Sequence, residues 1–347
     1  MKPKSIMLLV LMVVLPVEAM AQETNVDKTW AFALRLENDF FFGYTDRYYT
    51  NGLSLGWTSP DISKFRSESR VLGWANSLLE WFPPTKKQYC RRSLSFTIGQ
   101  NIYTPEDINR SDLIPDDRPY AGITYATTGI HTSCKDRMDS LELVLGLVGP
   151  HSYAGEVQKG VHKLIGIGVA EGWDNQLKDE IIVNILYRRS WKSIQSGVSG
   201  GLGYDVLPFL EGVFGNAITF GNAGLQARLG WNLPNDFGIS RNLTGLGSQA
   251  YSGSPNQEPH KEGAQFGAYV FGSLSGMAVT RNIFLDGNTF ADSHSVDKEP
   301  FLGEFTWGVN FMLGHFQFNY AHVFQTKEFE GQRGSQKFGS ITFFCCF

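Results

Sequence analysis

The residues best suited to chemistry fall in three stretches of the chain. Glu37-Asn38-Asp39 and Asp46-Arg47-Tyr48-Tyr49-Thr50-Asn51-Gly52 offer a carboxylate, an amide and a hydroxyl on either side of one expected turn. A carboxylate with neutral oxygen donors is the set a hard cation takes. Asp39 is therefore the candidate metal ligand, with Asn38 and Thr50 in reach across adjacent strands. Asn and Asp also favour turns on their own account. The stretch from His151 to Ile165 contributes His162, and helical spacing sets it on the face of Gln158. An imidazole that changes charge near neutral pH is suited to take a proton from water as a general base. Arg110, Arg118, Lys159 and Lys163 supply cations that suit phosphate groups. Attack by water activated by such a base requires no serine nucleophile. Gly166-Ile167-Gly168 follows no strand of a βαβ unit and does not read as a nucleotide loop.

Those residues must be positioned by strands. Trp30, Phe32, Leu34 and Leu36 alternate with Ala31, Ala33, Arg35 and Glu37, and the same period of two recurs at Leu53/Leu55/Trp57, Leu94/Phe96/Ile98 and Leu141/Leu143/Leu145/Leu147. Further runs are expected over 121–133, 180–191, 203–214, 218–232, 263–280, 300–313, 314–325 and 337–347, about twelve strands in all. With 30 basic against 34 acidic residues, the chain has no bias towards nucleic acid. Aromatics are 14% and glycines number 38, yet nothing after the N-terminus is apolar enough for a membrane helix. Multi-span helical membrane proteins are excluded. Soluble all-β folds and outer-membrane barrels remain.

Three features favour an antiparallel transmembrane β-barrel. The strands are near ten residues long, and short connections are interspersed with long ones, as in outer-membrane barrels. The chain ends in Phe347, with Ile341 and Phe343 on the same face, which resembles a barrel-assembly signal. Lys2 and Lys4, the apolar run 6–17 and Ala19-Met20-Ala21 form a signal peptide over 1–21, leaving 22–347 as one barrel domain in the bacterial outer membrane. Between Pro60 and Gln88, Val71, Trp74, Ala75, Leu78 and Phe82 recur at helical spacing, so a short helix is expected at the periplasmic rim. With the first strand running outward, the long loops after Glu37, Tyr103, Gly149 and Asn232 are expected outside the cell. Cys90 and Cys134 bracket a hairpin, which predicts a disulfide between them. Adjacent Cys345 and Cys346 face opposite sides of a strand and stay separate thiols.

The ordered set L-E-N-D at 36–39, Y-T-N-G at 49–52, D-R-P-Y-A-G at 117–122 and E-V-Q-K-G-V-H-K-L-I-G at 156–166, with Trp173, resembles the outer-membrane lipid A 3′-O-deacylase family. The resemblance spans the mature chain. It implies a twelve-stranded barrel that removes the 3′-linked acyloxyacyl group of lipid A in the outer leaflet, using calcium, and it places Asn38, Asp39, Thr50 and His162 at active-site positions. That family carries an acidic residue shortly after the histidine, where this chain has Gly168, with Glu171 displaced. Its basic residues in the second outer loop are matched loosely by Arg110. The rival enzyme is an outer-membrane phospholipase A with an H-x-S motif, for which His131-Thr132-Ser133 is the match. The non-enzyme rival is a porin-like barrel. Oligomeric state is not legible from the sequence.

Overall fold

The structure, a computed structural model, describes residues 30–39, 47–62, 90–166, 168–197, 201–238 and 266–346. The strands are β1 (Ala31–Asn38), β2 (Tyr48–Thr58), β3 (Arg91–Thr104), β4 (Ala121–Ser133), β5 (Arg137–Val148), β6 (Glu180–Trp191), β7 (Ile194–Gly197), β8 (Leu202–Gly215), β9 (Ile218–Trp231), β10 (Phe266–Asn282), β11 (Phe301–Leu313), β12 (Phe316–Gln325) and β13 (Gln336–Cys346). Each long strand pairs antiparallel with two neighbours, and the ring closes where β1 meets β13 and β6 meets β8. β7 is a four-residue piece that continues the line of β6 along β8. The result is a closed barrel of twelve long strands. Two helices, α1 (Ala154–Ile165) and α2 (Ile283–Asp286), belong to loops. The expected rim helix between 60 and 88 lies almost wholly outside the described residues, as do the signal peptide and Phe347.

The alternation that predicted the strands also sorts their faces, because successive side chains point to opposite sides of a sheet. One face exposes Phe96, Ile98, Leu145, Ile181, Ile185, Leu210, Phe214, Leu274, Phe301 and Phe305 around the outside. The other buries Arg35, Glu37, Asn101, Thr127, Glu142, Asn184, Glu211, Asn310 and Thr342 within. Apolar outside and polar inside is the reverse of a soluble protein, and an apolar band of this extent is covered only by lipid. Trp57, Trp191 and Trp231 face outward near the end of the barrel that carries both termini. Beside them Arg189 reaches Asp139 and the rings of Tyr187 and Trp191. Amphipathic rings at one level form an interfacial girdle.

Strand parity fixes which loops share an end. β9 finishes at Trp231 and β10 starts at Phe266, and Phe266 pairs with Leu313 beside the tight β11–β12 turn at the termini. The described ends of the 232–265 connection therefore lie at the end carrying the termini, whereas its length suggests the opposite end. The opposite end carries, among the described residues, 39, 47, 105–120, 149–166, 168–179, 283–300 and 326–335. Cys90 and Cys134 form the expected disulfide at the termini end, where Cys134 N–H also donates to Arg137 O at 2.8 Å to close the β4–β5 turn.

The lumen is filled. At the end opposite the termini α2 tucks into the mouth, and Phe284 stacks on Tyr103 with ring centroids 4.0 Å apart. At the other end Arg228 holds Asp205 through Nε and Nη2, at 2.9 and 2.5 Å, and also binds Asp236, which draws segment 234–238 into the opening. A cavity of about 40 Å³ between these plugs, lined by Arg35, Arg188, Asn222 and Glu304 among others, has room for little more than water.

Candidate active site on the outer wall

The segment after β5 turns back onto the outside of the barrel. On β3 and β4 the even-numbered residues face outward, among them Phe96, Ile98, Gln100, Thr124 and Thr128. Gln100 Nε2 and Thr124 Oγ1 both donate to the carbonyl of Ser152, each at 2.8 Å. Two polar side chains that would otherwise meet lipid thus tie down the start of α1. Gly122 makes the contact close: a Cβ there would lie 2.0 Å from that of Ala154. Ile102, Tyr120, Ala154, Ala170 and Trp173 pack the seam between helix and wall. His151 and Asp179 clamp the loop base, with the backbone N–H of His151 on Asp179 Oδ1 at 3.0 Å and its ring on Oδ2 at 2.5 Å. Desolvation raises the Asp179 pKa, but those hydrogen bonds outweigh it and hold the carboxyl below its usual value.

α1 presents three faces. Ala154, Gln158 and His162, spaced i, i+4, i+8, are buried against the wall. Val157, Val161 and Leu164 form an exposed apolar stripe, with Tyr153 preceding it. Glu156, Lys159 and Lys163 are exposed and charged. Gly166, at φ 75°, caps the helix by donating its N–H to His162 O. His162 is 5% exposed, and its Nδ1 lies 2.6 Å from the carbonyl oxygen of Gly168. A carbonyl only accepts, so the proton sits on Nδ1 and Nε2 is the basic nitrogen of the neutral ring. The main chain of Gly168 thus orients the ring, while Glu171 is exposed and ties its own N–H to Ile108 O at 2.9 Å.

The other expected residues lie at the same end of β1 to β3. Asn38 is the last residue of β1 and faces outward, paired with Asn51. Asp39 is 1% exposed and its Oδ2 accepts the backbone N–H of Arg47 at 2.8 Å. Strict alternation from Gly52 would aim Thr50 into the lumen. A register shift between Tyr49 and Asn51 intervenes, leaving Tyr49 inside beside Tyr103 and Phe338. Thr50 then contacts Thr104 on the adjacent strand, hydroxyl to hydroxyl at 2.7 Å. Thr104 is thus a neighbour of the site that sequence patterning did not single out. The fold brings Asn38, Thr50 and Thr104 to the end of the wall onto which α1 is laid.

The sequence profile of the outer membrane protein LpxR matches residues 6–347. The chain belongs to the LpxR family. LpxR from Salmonella typhimurium has the same fold: at 18% identity the match covers 91% of this chain and 99% of that one, with a TM-score of 0.71. The β-domain of the Bordetella autotransporter BrkA aligns over 93% of this chain at 9% identity and a TM-score of 0.43. No curated protein sequence matches.

The cationic residues of this LpxR-family chain divide. Lys159 and Lys163 are exposed on α1. Arg110 is exposed beside α1 but is engaged by Asp112, with Nε–Oδ1 at 3.1 Å. Arg118 is a correction to the expected substrate contacts: it lies on the lumenal side of the wall, buried, with Nη1 on Glu328 Oε2 at 2.9 Å and its guanidinium 4.9 Å from the Tyr103 ring. A cation enclosed and paired there closes the mouth and is not presented to a lipid. His131 also points into the lumen, between Ser95 Oγ at 2.8 Å and Ser140 Oγ at 2.9 Å. Among the described residues no group of three or more acidic, His or Cys side chains gathers as a metal cluster. The donors near Asp39 are all oxygens or amides, a set that fits a hard cation completed by backbone and water.

Proposed function

We propose that this protein is a calcium-dependent lipid A 3′-O-deacylase whose active site opens to the outer leaflet, with His162 as general base. The observation that carries the reading is the place of His162: outside the barrel wall, enclosed between α1 and β3–β4, beneath a helix whose exposed stripe is Val157, Val161 and Leu164. A base in that position meets a substrate arriving sideways from the membrane and not one passing through the lumen. Family membership and the resemblance of the L-E-N-D, Y-T-N-G and E-V-Q-K-G-V-H segments support lipid A as that substrate.

In this mechanism Nε2 of His162 takes a proton from water as the water oxygen bonds to the ester carbonyl carbon. The carbonyl π electrons move to oxygen. Collapse breaks the carbon–oxygen bond to the sugar, and the imidazolium returns its proton to the departing 3′-oxygen. The Gly168 carbonyl keeps the ring in the required tautomer throughout. Asp39, helped by Asn38 and Thr50, would hold calcium, which when bound supplies Lewis-acid polarisation of the carbonyl. The exposed Lys159 and Lys163 supply positive charge suited to the phosphates of the substrate. The phospholipase reading has no such support: both ring nitrogens of His131 are occupied by Ser95 and Ser140, inside the lumen. A porin reading is opposed by the plugs at both lumen ends.

The test is mass spectrometry of lipid A from cells expressing the wild type, His162→Ala or Ser133→Ala, with membranes assayed with and without chelator. The expected result is loss of a 3′ acyloxyacyl mass with the wild type and Ser133→Ala only, abolished by chelation. Unchanged lipid A in every sample would sink the reading.

A further inference from the structure

We infer that Gln158 is a further catalytic residue, its side-chain amide donating to the ester carbonyl oxygen as that oxygen takes on negative charge; this rests on the deacylase reading. Gln158 lies one turn before His162 on the buried face of α1 and is 3% exposed. The indole N–H of Trp173 donates to Gln158 Oε1 at 2.8 Å. An indole nitrogen cannot accept, so this contact settles which end of the amide is which. The NH2 group must face away from the indole. Its nitrogen is buried and has no hydrogen-bond partner among the described residues.

A buried donor without a partner costs free energy, because its hydrogen bonds to water are lost and not replaced. Here the arrangement that imposes this cost is rigid. Trp173 lies against Gly155, where a Cβ would come within 2.9 Å of the ring, and its ring centroid is 5.2 Å from that of Tyr120. The amide is therefore held by a packed aromatic post, with its two N–H groups turned away from the indole. A group fixed in that way needs no reorganisation when charge develops beside it, the condition for strong transition-state stabilisation. A water activated by Nε2 of His162 and a carbonyl oxygen bonded to Gln158 fit one ester carbon between residues four apart on the helix. No proton transfer to or from Gln158 is involved.

Gln158→Glu separates the two roles the side chain could have. The carboxylate still accepts from Trp173 with the same shape, but it cannot donate. With purified full-length barrel, lipid A in mixed micelles and calcium present, kcat is expected to fall about 10²- to 10³-fold with KM nearly unchanged. Folding is checked by the heat-modifiable mobility of the barrel. Trp173→Phe keeps a ring in place and releases the amide, and is expected to lower kcat by up to about tenfold, the worth of one orienting hydrogen bond. It decides the matter alone if Gln158→Glu does not assemble. Wild-type kcat in a folded Gln158→Glu, or in Trp173→Phe where the former fails to assemble, overturns the inference and leaves Gln158 as a brace for Trp173. An inactive wild type overturns the deacylase reading, and this inference with it.

Discussion

The barrel wall at β3–β4 carries a buried histidine on each side, and the two differ in the kind of atom that holds them. His131, inside, lies between two serine hydroxyls, each able to donate or accept. Its tautomer is free to follow its neighbours, and it serves to fill a polar lumen. His162, outside, is aimed by a carbonyl that can only accept. That partner commits the proton to Nδ1 and the basicity to Nε2. Burial is alike at 1% and 5%. Burial alone therefore does not distinguish the two; the polarity of the partner and the side of the wall do.

The comparison predicts opposite outcomes for one substitution. His162→Ala should cut deacylation by about 10²- to 10⁴-fold, the range of a lost general base, while His131→Ala should leave kcat within a few-fold and lower the temperature of heat modification. Equal losses of activity from the two, measured on purified barrels, would erase the distinction. Next in size is Asp39→Asn, which keeps the shape and removes the charge. A fall in kcat of about 10²-fold is expected, with excess calcium restoring part of it, as a weakened hard-cation site would show. Wild-type calcium dependence in that variant would separate Asp39 from the metal.

Gly122→Leu sharpens the comparison from the side of the wall. Its branched side chain would drive into Ala154 and lift α1 while facing away from the lumen. About a tenfold loss of kcat/KM is expected with unchanged heat modification. The smallest effect is on pH dependence. Asp179 has its pKa held below the ordinary carboxylate value, so the unfolded loop binds more protons than the clamped one. The contribution of the clamp is complete above the unfolded pKa near 4 and is lost as pH falls through the folded one. Asp179→Asn should remove this acid sensitivity, read as protease nicking of the 149–179 loop between pH 5 and 3.

Much of this was legible in the sequence because a barrel strand repeats every two residues. Trp30 to Glu37 announced both a strand and which side of it meets lipid. Cys90 and Cys134 could be paired because both flank the same hairpin. Legibility failed where the alternation is interrupted. At Thr50 a single extra residue turns the side chain to the opposite face, and no propensity marks that position. Arg118 lies in a loop, where parity no longer applies, and only packing against Tyr103 and Glu328 decides its side. For the 232–265 connection, length, a tendency, points to one end, whereas counting strands, a topological constraint, gives the other. Gln158 was visible as a neighbour of His162, but its role depends on Trp173, fifteen residues on and joined to it only by folding.

The filled lumen bears on how many copies a cell can tolerate. Twelve strands enclose enough width for solutes, and an open barrel would leak in proportion to its abundance. With α2 and Phe284 closing one mouth and Arg228 and Asp236 the other, each added copy contributes surface chemistry and no conductance. A barrel closed at both mouths in this way adds to the membrane a wall and its outer face without adding a pore.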